Sequence, residues 1–231
     1  AIRWVQHGTD LCAQVLAATD DGRFAEPSQL PGWTVAHVVG HLALNAAALG
    51  NLVTWARTGV ETPMYASAGQ RDADIASQAT KPPSELRQRY AESATRFSES
   101  LAELTAEQWQ ATVRTRAGRE LPAAEIPWLR AREVMVHSID LGGRIGFSDL
   151  PGDFLSALID DVVAYRSGAA DQPAVELMAR NTGEGWVIQG SGTPVRVMAQ
   201  LSDLAAWLTG RAATEPRVIG AGIPPKLPAW L

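Results

Sequence analysis

Apolar residues recur every three or four positions through most of the first 141 residues, the spacing of helices that bury one face. From Ile2 to Ala18 the apolar positions are Val5, Cys12, Val15 and Leu16, which predicts a weakly amphipathic first helix ended by Asp20-Asp21-Gly22. Pro31-Gly32 then breaks the chain, and Thr34 is placed to cap a second helix running to about Arg57, where Thr58-Gly59 stops it. Its alanine-rich centre, Ala43 to Leu49, allows close packing of neighbouring helices. Residues 60 to 82 form a long excursion containing Pro63 and a short helical stretch around Arg71 to Gln78, and connections of this length are often functional. Ser84 is the expected cap of a third bundle helix carrying Leu86, Tyr90, Ala94, Phe97 and Leu101 on one stripe. Thr105 and Gln108 fit a capping box for one more turn. Thr112 to Arg116 and Arg119 to Leu121 flank Ala117-Gly118 as a small hairpin. A fourth bundle helix covers Ala124 to Leu141, with Pro127 tolerable in its first turn, and ends at Gly142-Gly143.

Beyond Gly146 the periodicity changes. Pro151 to Arg166 reads as one helix, but Val175 to Arg180, Gly185 to Gln189 and Thr193 to Ala199 are β-rich runs separated by glycine-bearing turns. Leu201 to Leu208 returns to helix, with Ser202 as the expected cap and Gly210 as its stop, and a Pro- and Gly-rich tail from Pro216 to Leu231 is expected to be extended and packed by Trp230. The expectation is therefore an all-α bundle over residues 1–146 followed by a smaller α+β domain over 147–231. No internal repeat is visible.

At 231 residues and 46% hydrophobic content the chain can bury one large core or two small ones. A net charge of −5 and a sequence pI near 5.4 argue against nucleic acid, whose phosphates require a basic face. No uninterrupted apolar run has the length of a membrane span, and the first residues lack a charged stretch followed by an apolar one, so the chain is expected to be cytoplasmic with no membrane partner. The single cysteine, Cys12, excludes an intramolecular disulfide and a Cys-rich zinc site, and its apolar neighbours favour a packing role.

The chemistry concentrates on two helices. His37 and His41 are four apart on the second, Glu133 and His137 four apart on the fourth, so each pair shares a helix face. Four candidate ligands result, and three suffice for a working metal, because a catalytic zinc keeps its fourth position open. Among Val134, Val136 and Ile139 a glutamate requires a partner, and either a histidine or a metal ion would satisfy it. Asp140 either takes a hydrogen bond from the second ring nitrogen of His137 or caps the helix end in solvent. His37 alone reads as a satisfied core residue and His7 as a surface one, while Trp33 and Trp128 each precede a ligand segment and are candidates to wall a pocket.

Taken together, GWTVAHVVGHLALNA and WLRAREVMVHSIDLG, with TGVETPMY at 58–65, LTGR at 208–211 and the closing PAWL, resemble the mycothiol-dependent maleylpyruvate isomerase family. That resemblance implies a DinB-like four-helix bundle with zinc held by His41, Glu133 and His137, while His37 is not carried over as a ligand. It implies an isomerase in gentisate-type aromatic compound degradation, turning maleylpyruvate into fumarylpyruvate by reversible addition of a zinc-bound mycothiol thiolate. Zinc with one glutamate and one thiolate is neutral, so a dicarboxylate substrate needs a further cation. Arg211 matches an arginine the family uses in its C-terminal domain, and its guanidinium suits the role, with Arg144 as a weaker second candidate. The expected site then lies in a cleft to which the C-terminal domain contributes Arg211. The implied partners are a small dicarboxylate and a low-molecular-weight thiol, and the chain is expected to be a monomer. A mycothiol S-transferase and a non-catalytic metal-binding protein are the alternatives.

Overall fold

A computed structural model describes residues 1–167, 172–212, 216–219, 223–227 and 230. The chain divides into two compact units, Ala1–Arg144 and Ile145–Leu231.

The first unit is a four-helix bundle with one extra helix. It comprises α1 (Ile2–Ala18), α2 (Val35–Thr58), α3 (Ala68–Ala79), α4 (Pro83–Ala102), a hairpin of β1 (Thr112–Arg114) and β2 (Glu120–Pro122), and α5 (Ile126–Asp140). Helix α2 is apolar on every side and buries residues around its whole circumference, the signature of a central helix. By length and hydropathy it could cross a membrane, but 72% of its most apolar window is buried inside the protein. Around it, Cys12 and Leu16 of α1, Leu86 and Tyr90 of α4, and Val134 of α5 close one core with Val35, Val38, Val39 and Leu42. The start of α2 is fixed by Thr34, whose hydroxyl accepts from the His37 amide, and its end by Gly59 in the left-handed conformation at φ 71°. The expected capping box holds at Thr105 and Gln108, which exchange both hydrogen bonds.

Two expectations within the bundle are corrected. Ser84 does not cap α4: the helix starts one residue earlier, with Pro83 in its first turn, where a missing N–H costs nothing, and Pro82 as the flanking residue. The stretch around Arg71 extends in both directions into the full helix α3, whose start is capped by the Ser67 hydroxyl. Between α2 and α3, Asn51 holds the excursion by donating to the Pro63 carbonyl at 3.1 Å.

The second unit is α+β. Helix α6 (Gly152–Ser167) precedes β3 (Pro173–Ala179), β4 (Gly185–Ile188) and β5 (Ser191–Ala199), then α7 (Leu201–Leu208) and β6 (Arg217–Val218). The sheet order is β4-β3-β5-β6, with β3 and β5 parallel and the other pairs antiparallel. Ser202 does not cap α7. The first amide of that helix, Leu201, donates instead to Oδ1 of Asn181 from the β3–β4 turn, at 2.9 Å. The buried Arg166 closes the other end by donating to the Leu208 carbonyl. Trp230 is buried, as expected, whereas the rest of the PAWL segment lies outside the described residues.

Helices α1 and α5 approach closely because Gly8 has no side chain: a Cβ there would lie 2.6 Å from Val134 Cγ2 and 3.3 Å from the Met135 amide nitrogen. Gly8→Ala should therefore overpack the bundle and lower its unfolding free energy by about 1–3 kcal/mol. Gly50 sits within α2 with nothing near its would-be Cβ, so Gly50→Ala should raise stability by about 0.5–1 kcal/mol. Urea unfolding of the two variants reads the sign directly, and an unaffected Gly8→Ala would contradict the close approach.

Candidate functional site

Helices α2 and α5 place the donor atoms of His41, Glu133 and His137 within 4.8 Å of one another. His41 Nε2 lies 2.8 Å from Glu133 Oε2, and His137 Nε2 lies 3.3 Å from the same oxygen. The two imidazole rings stand almost perpendicular, their centres 5.0 Å apart. On the far side of His137, Nδ1–H donates to Asp140 Oδ2 at 2.7 Å. Asp140 has no exposed surface, so its role as a partner of the ring replaces the alternative of a solvent cap. Side-chain exposure is 5% for His41, 7% for His137 and 12% for Glu133, which leaves the carboxylate as the most open edge of the cluster.

Helical spacing explains the convergence. Glu133 and His137 lie one turn apart on α5, and α2 crosses that face with His41 inward. His37, one turn earlier on α2, is left out of the cluster. It is half-buried and sits at the third position of the helix, where its Nδ1 accepts from the Thr34 amide at 3.3 Å and lies 2.7 Å from the Thr34 hydroxyl. A histidine here does the work of the Glu or Gln of a usual capping box. Trp33 packs edge-on against His41, with ring centres 5.5 Å apart, and so forms one wall. Trp128 does not: it packs against Trp4 on α1 at 5.7 Å.

Burial and pairing set the charge states of this cluster in opposite directions. Burial alone would push the Glu133 carboxyl up, but hydrogen bonds from His137 and His41 outweigh it and hold the group well below the usual range. Burial lowers His41, and its bond to Glu133 does not restore it. His137 is raised despite burial, because Asp140 and Glu133 both accept from it. In the metal-free cluster His137, between two carboxylates, is thus shifted toward its protonated form and His41 beside it toward its neutral form. His41 Nδ1 is buried without a hydrogen-bond partner among the described residues, so nothing there dictates which ring nitrogen carries its proton.

The spacing of the remaining candidates is plain. Arg211 belongs to the second unit, just past the end of α7, half-buried and donating to the Thr209 carbonyl at 2.8 Å. Arg144 is exposed at the end of the first unit. Cys12 has no exposed surface, and burial raises its thiol. Two residues near the cluster carry no sequence signal of their own. Arg71 of α3 projects a positive potential onto His41 and hydrogen-bonds Tyr65, whose phenol is raised by burial and feels the Glu133 carboxylate. Tyr65 also lines a cavity of about 200 Å³ with Trp55, Met64, Arg114 and Arg116.

Residues 5–142 match the family model of the mycothiol maleylpyruvate isomerase N-terminal domain. The chain belongs to that family. It is accordingly an enzyme of the isomerase class, with the family's helical N-terminal domain followed by a smaller α+β unit. Two crystal structures show the likeness over the whole length: one of the mycothiol-dependent maleylpyruvate isomerase, and one of a variant of it with a histidine replaced by alanine. Each is 31% identical to this chain, covers 99% of it and 95% of its own length, and has a TM-score of 0.94. No protein with curated annotation matches the chain.

The opposed shifts of this cluster give a pH signature for the metal-free protein. His137, raised in the fold, contributes stability that is fully present below its ordinary value of 6.5 and lost as pH rises through the folded value above it. His41, lowered in the fold, removes stability as pH falls below 6.5, where the unfolded chain takes up a proton first. The cluster's contribution should therefore peak near pH 6.5 and decline on both sides. Asp140→Asn should flatten the alkaline decline while leaving the acid one, as measured by urea unfolding of chelator-treated protein across pH 5 to 9.

Proposed function

We propose that this isomerase converts maleylpyruvate to fumarylpyruvate with mycothiol as an external thiol and zinc held by His41, Glu133 and His137. The observation that carries the reading is the buried cluster itself: two imidazoles converge on one carboxylate oxygen at 2.8 and 3.3 Å. Ligand atoms around a tetrahedral zinc are about 3.3 Å apart, as follows from metal–ligand bonds of about 2.0–2.1 Å. The two separations to Glu133 lie near that value, and all three donors fall within 4.8 Å of one another, a set compatible with one ion. Two nitrogens and one carboxylate oxygen are also the ligand set of catalytic rather than closed zinc sites.

When bound, zinc keeps a coordinated thiol ionised, and mycothiol would supply that thiol for reversible addition to the activated double bond, which can then rotate as a single bond. The chain's own residues hold and orient. Asp140 accepts a hydrogen bond from the Nδ1–H of His137 and so would direct the Nε2 lone pair at the ion, the usual partner arrangement for a ligating histidine. Trp33 keeps water from one flank of His41. The only cysteine is fully buried, which supports a thiol from outside the protein. Arg211 is proposed as the cation that grips a substrate carboxylate, since its forked guanidinium can bind two oxygens at once. Membership of the family supports the assignments within the N-terminal domain, and the activity of the crystallised relative, a mycothiol-dependent maleylpyruvate isomerase, suggests the substrate and the thiol.

In the ligand test, His41→Ala, Glu133→Ala and His137→Ala should each fold yet lose bound zinc and turnover, while His37→Ala should retain both and lose only helix-cap stability of about 0.5–2 kcal/mol. Full zinc occupancy in His41→Ala would sink the assignment. For the substrate side, Arg211→Ala should keep its zinc and lose about two orders of magnitude in kcat/KM for maleylpyruvate, with partial recovery in Arg211→Lys. Dialysed enzyme should be inert until mycothiol is restored, and Cys12→Ser should retain isomerase activity even if its buried hydroxyl lowers stability. Accumulation of a stable thiol conjugate in place of fumarylpyruvate would identify a transferase instead.

A further inference from the structure

Helix α5 carries a second inward-facing charge that the isomerase reading leaves unused. Arg130 lies three residues before Glu133, on the stripe that also holds His137, and has no exposed surface. Its Nη1 donates to two oxygens of α2, the Leu42 carbonyl and Asn45 Oδ1, each at 2.8 Å. Leu42 adjoins His41. One side chain of the helix bearing Glu133 and His137 thus ties down the turn of the helix bearing His41.

The cost of this arrangement argues against a purely structural purpose. Both acceptors are neutral, and the Nε and Nη2 atoms are buried with no hydrogen-bond partner among the described residues. Burying a cation without a carboxylate bonded to it is expensive, and replacing buried charges by apolar side chains of similar size is often neutral or stabilising. The groups facing Arg130 from the other helices are Tyr90 on α4 and Cys12 on α1, both raised by burial and therefore uncharged near neutrality. Glu133 is the anion whose field reaches it. A fixed positive charge one turn from the carboxylate, pinned to the opposing ligand helix, compensates Glu133 before any ion arrives and sets the distance between the two helices.

We propose that Arg130 is a positioning residue for the metal centre, holding the turn of α2 that carries His41 against the stripe of α5 that carries Glu133 and His137. This rests on the reading of those three residues as metal ligands. The test uses the full chain freed of metal, with zinc affinity measured by competition against a chromogenic chelator and cobalt(II) absorption reporting ligand geometry. Wild type and His41→Ala come first: if both bind zinc alike, the ligand reading fails and the proposal for Arg130, which rests on it, falls with it. With that reading standing, Arg130→Met should weaken zinc binding about tenfold or more, the usual scale for residues that orient ligands, and alter the cobalt spectrum without lowering the melting temperature of the metal-free protein. Arg130→Lys, which keeps the charge and one donor, should recover part of the affinity. Zinc affinity within twofold of wild type and an unchanged cobalt spectrum in Arg130→Met overturn the proposal. So does a zinc loss that only tracks a lowered melting temperature and is not relieved in Arg130→Lys. Should Arg130→Met not fold, Asn45→Ala and Arg130→Lys make the same comparison: weakened zinc binding with wild-type unfolding supports the role, and unchanged binding in both overturns it.

Discussion

The bundle is arranged around a carboxylate that water cannot solvate well. Glu133 projects from a helix whose neighbours are almost all buried, and an isolated charge there would cost far more than the few kcal/mol by which a domain is stable. Two histidines resolve the problem in the metal-free protein, one from the same helix and one from α2, and Asp140 supports the nearer of them from behind. Each supporting group restricts the next. The ring orientation of His137 depends on Asp140, and the distance of His41 depends on how closely α2 and α5 pack. The same geometry that compensates a buried charge also brings together three donors that could hold one ion.

Placement of the chemistry follows from what the protein withholds. Its one cysteine fills core space between α1, α2 and α4, so the bundle offers convergent donors but no accessible thiol of its own. Family membership makes it an isomerase, and the proposed external thiol is consistent with a bundle whose own thiol is buried. The second unit contributes a different sort of element. Its helix α7 is capped at both ends by side chains from elsewhere, Asn181 and Arg166, which fixes the helix immediately before Arg211.

Most of the helical architecture was legible because period 3.6 is a strong signal in long segments, and α1, α2 and α5 sit where the apolar spacing puts them. Local capping chemistry was less readable. Ser84 and Ser202 are suitable residue types, yet Pro82-Pro83 starts α4 earlier and a side chain from a distant turn caps α7, a contact no local rule contains. The pairing of His41 with Glu133 was suggested by two matching i,i+4 patterns, and His37 read as a satisfied core residue, but its actual place, half-buried at the helix cap, was not legible, since it depends on Thr34 and the first residue of α2. Trp128 preceded a ligand helix and nonetheless turned toward Trp4. Arg130 was invisible for another reason: Arg130 and Arg132 are identical in type and two apart, and only the packed structure shows which one points fully inward.

The close seating of α1 on α5 at Gly8 also bears on how the protein reaches its native state. Contacts between these helices, like the one between His41 and Glu133 across 92 residues, join distant parts of the chain, and closing such loops costs entropy before any burial offsets it. The donor cluster therefore cannot form within any local hairpin of the chain. It comes into being only as the outer and central helices dock together, so that a nascent or partly unfolded molecule presents scattered histidines and carboxylates, and convergence of the donors is a property of the completed bundle alone.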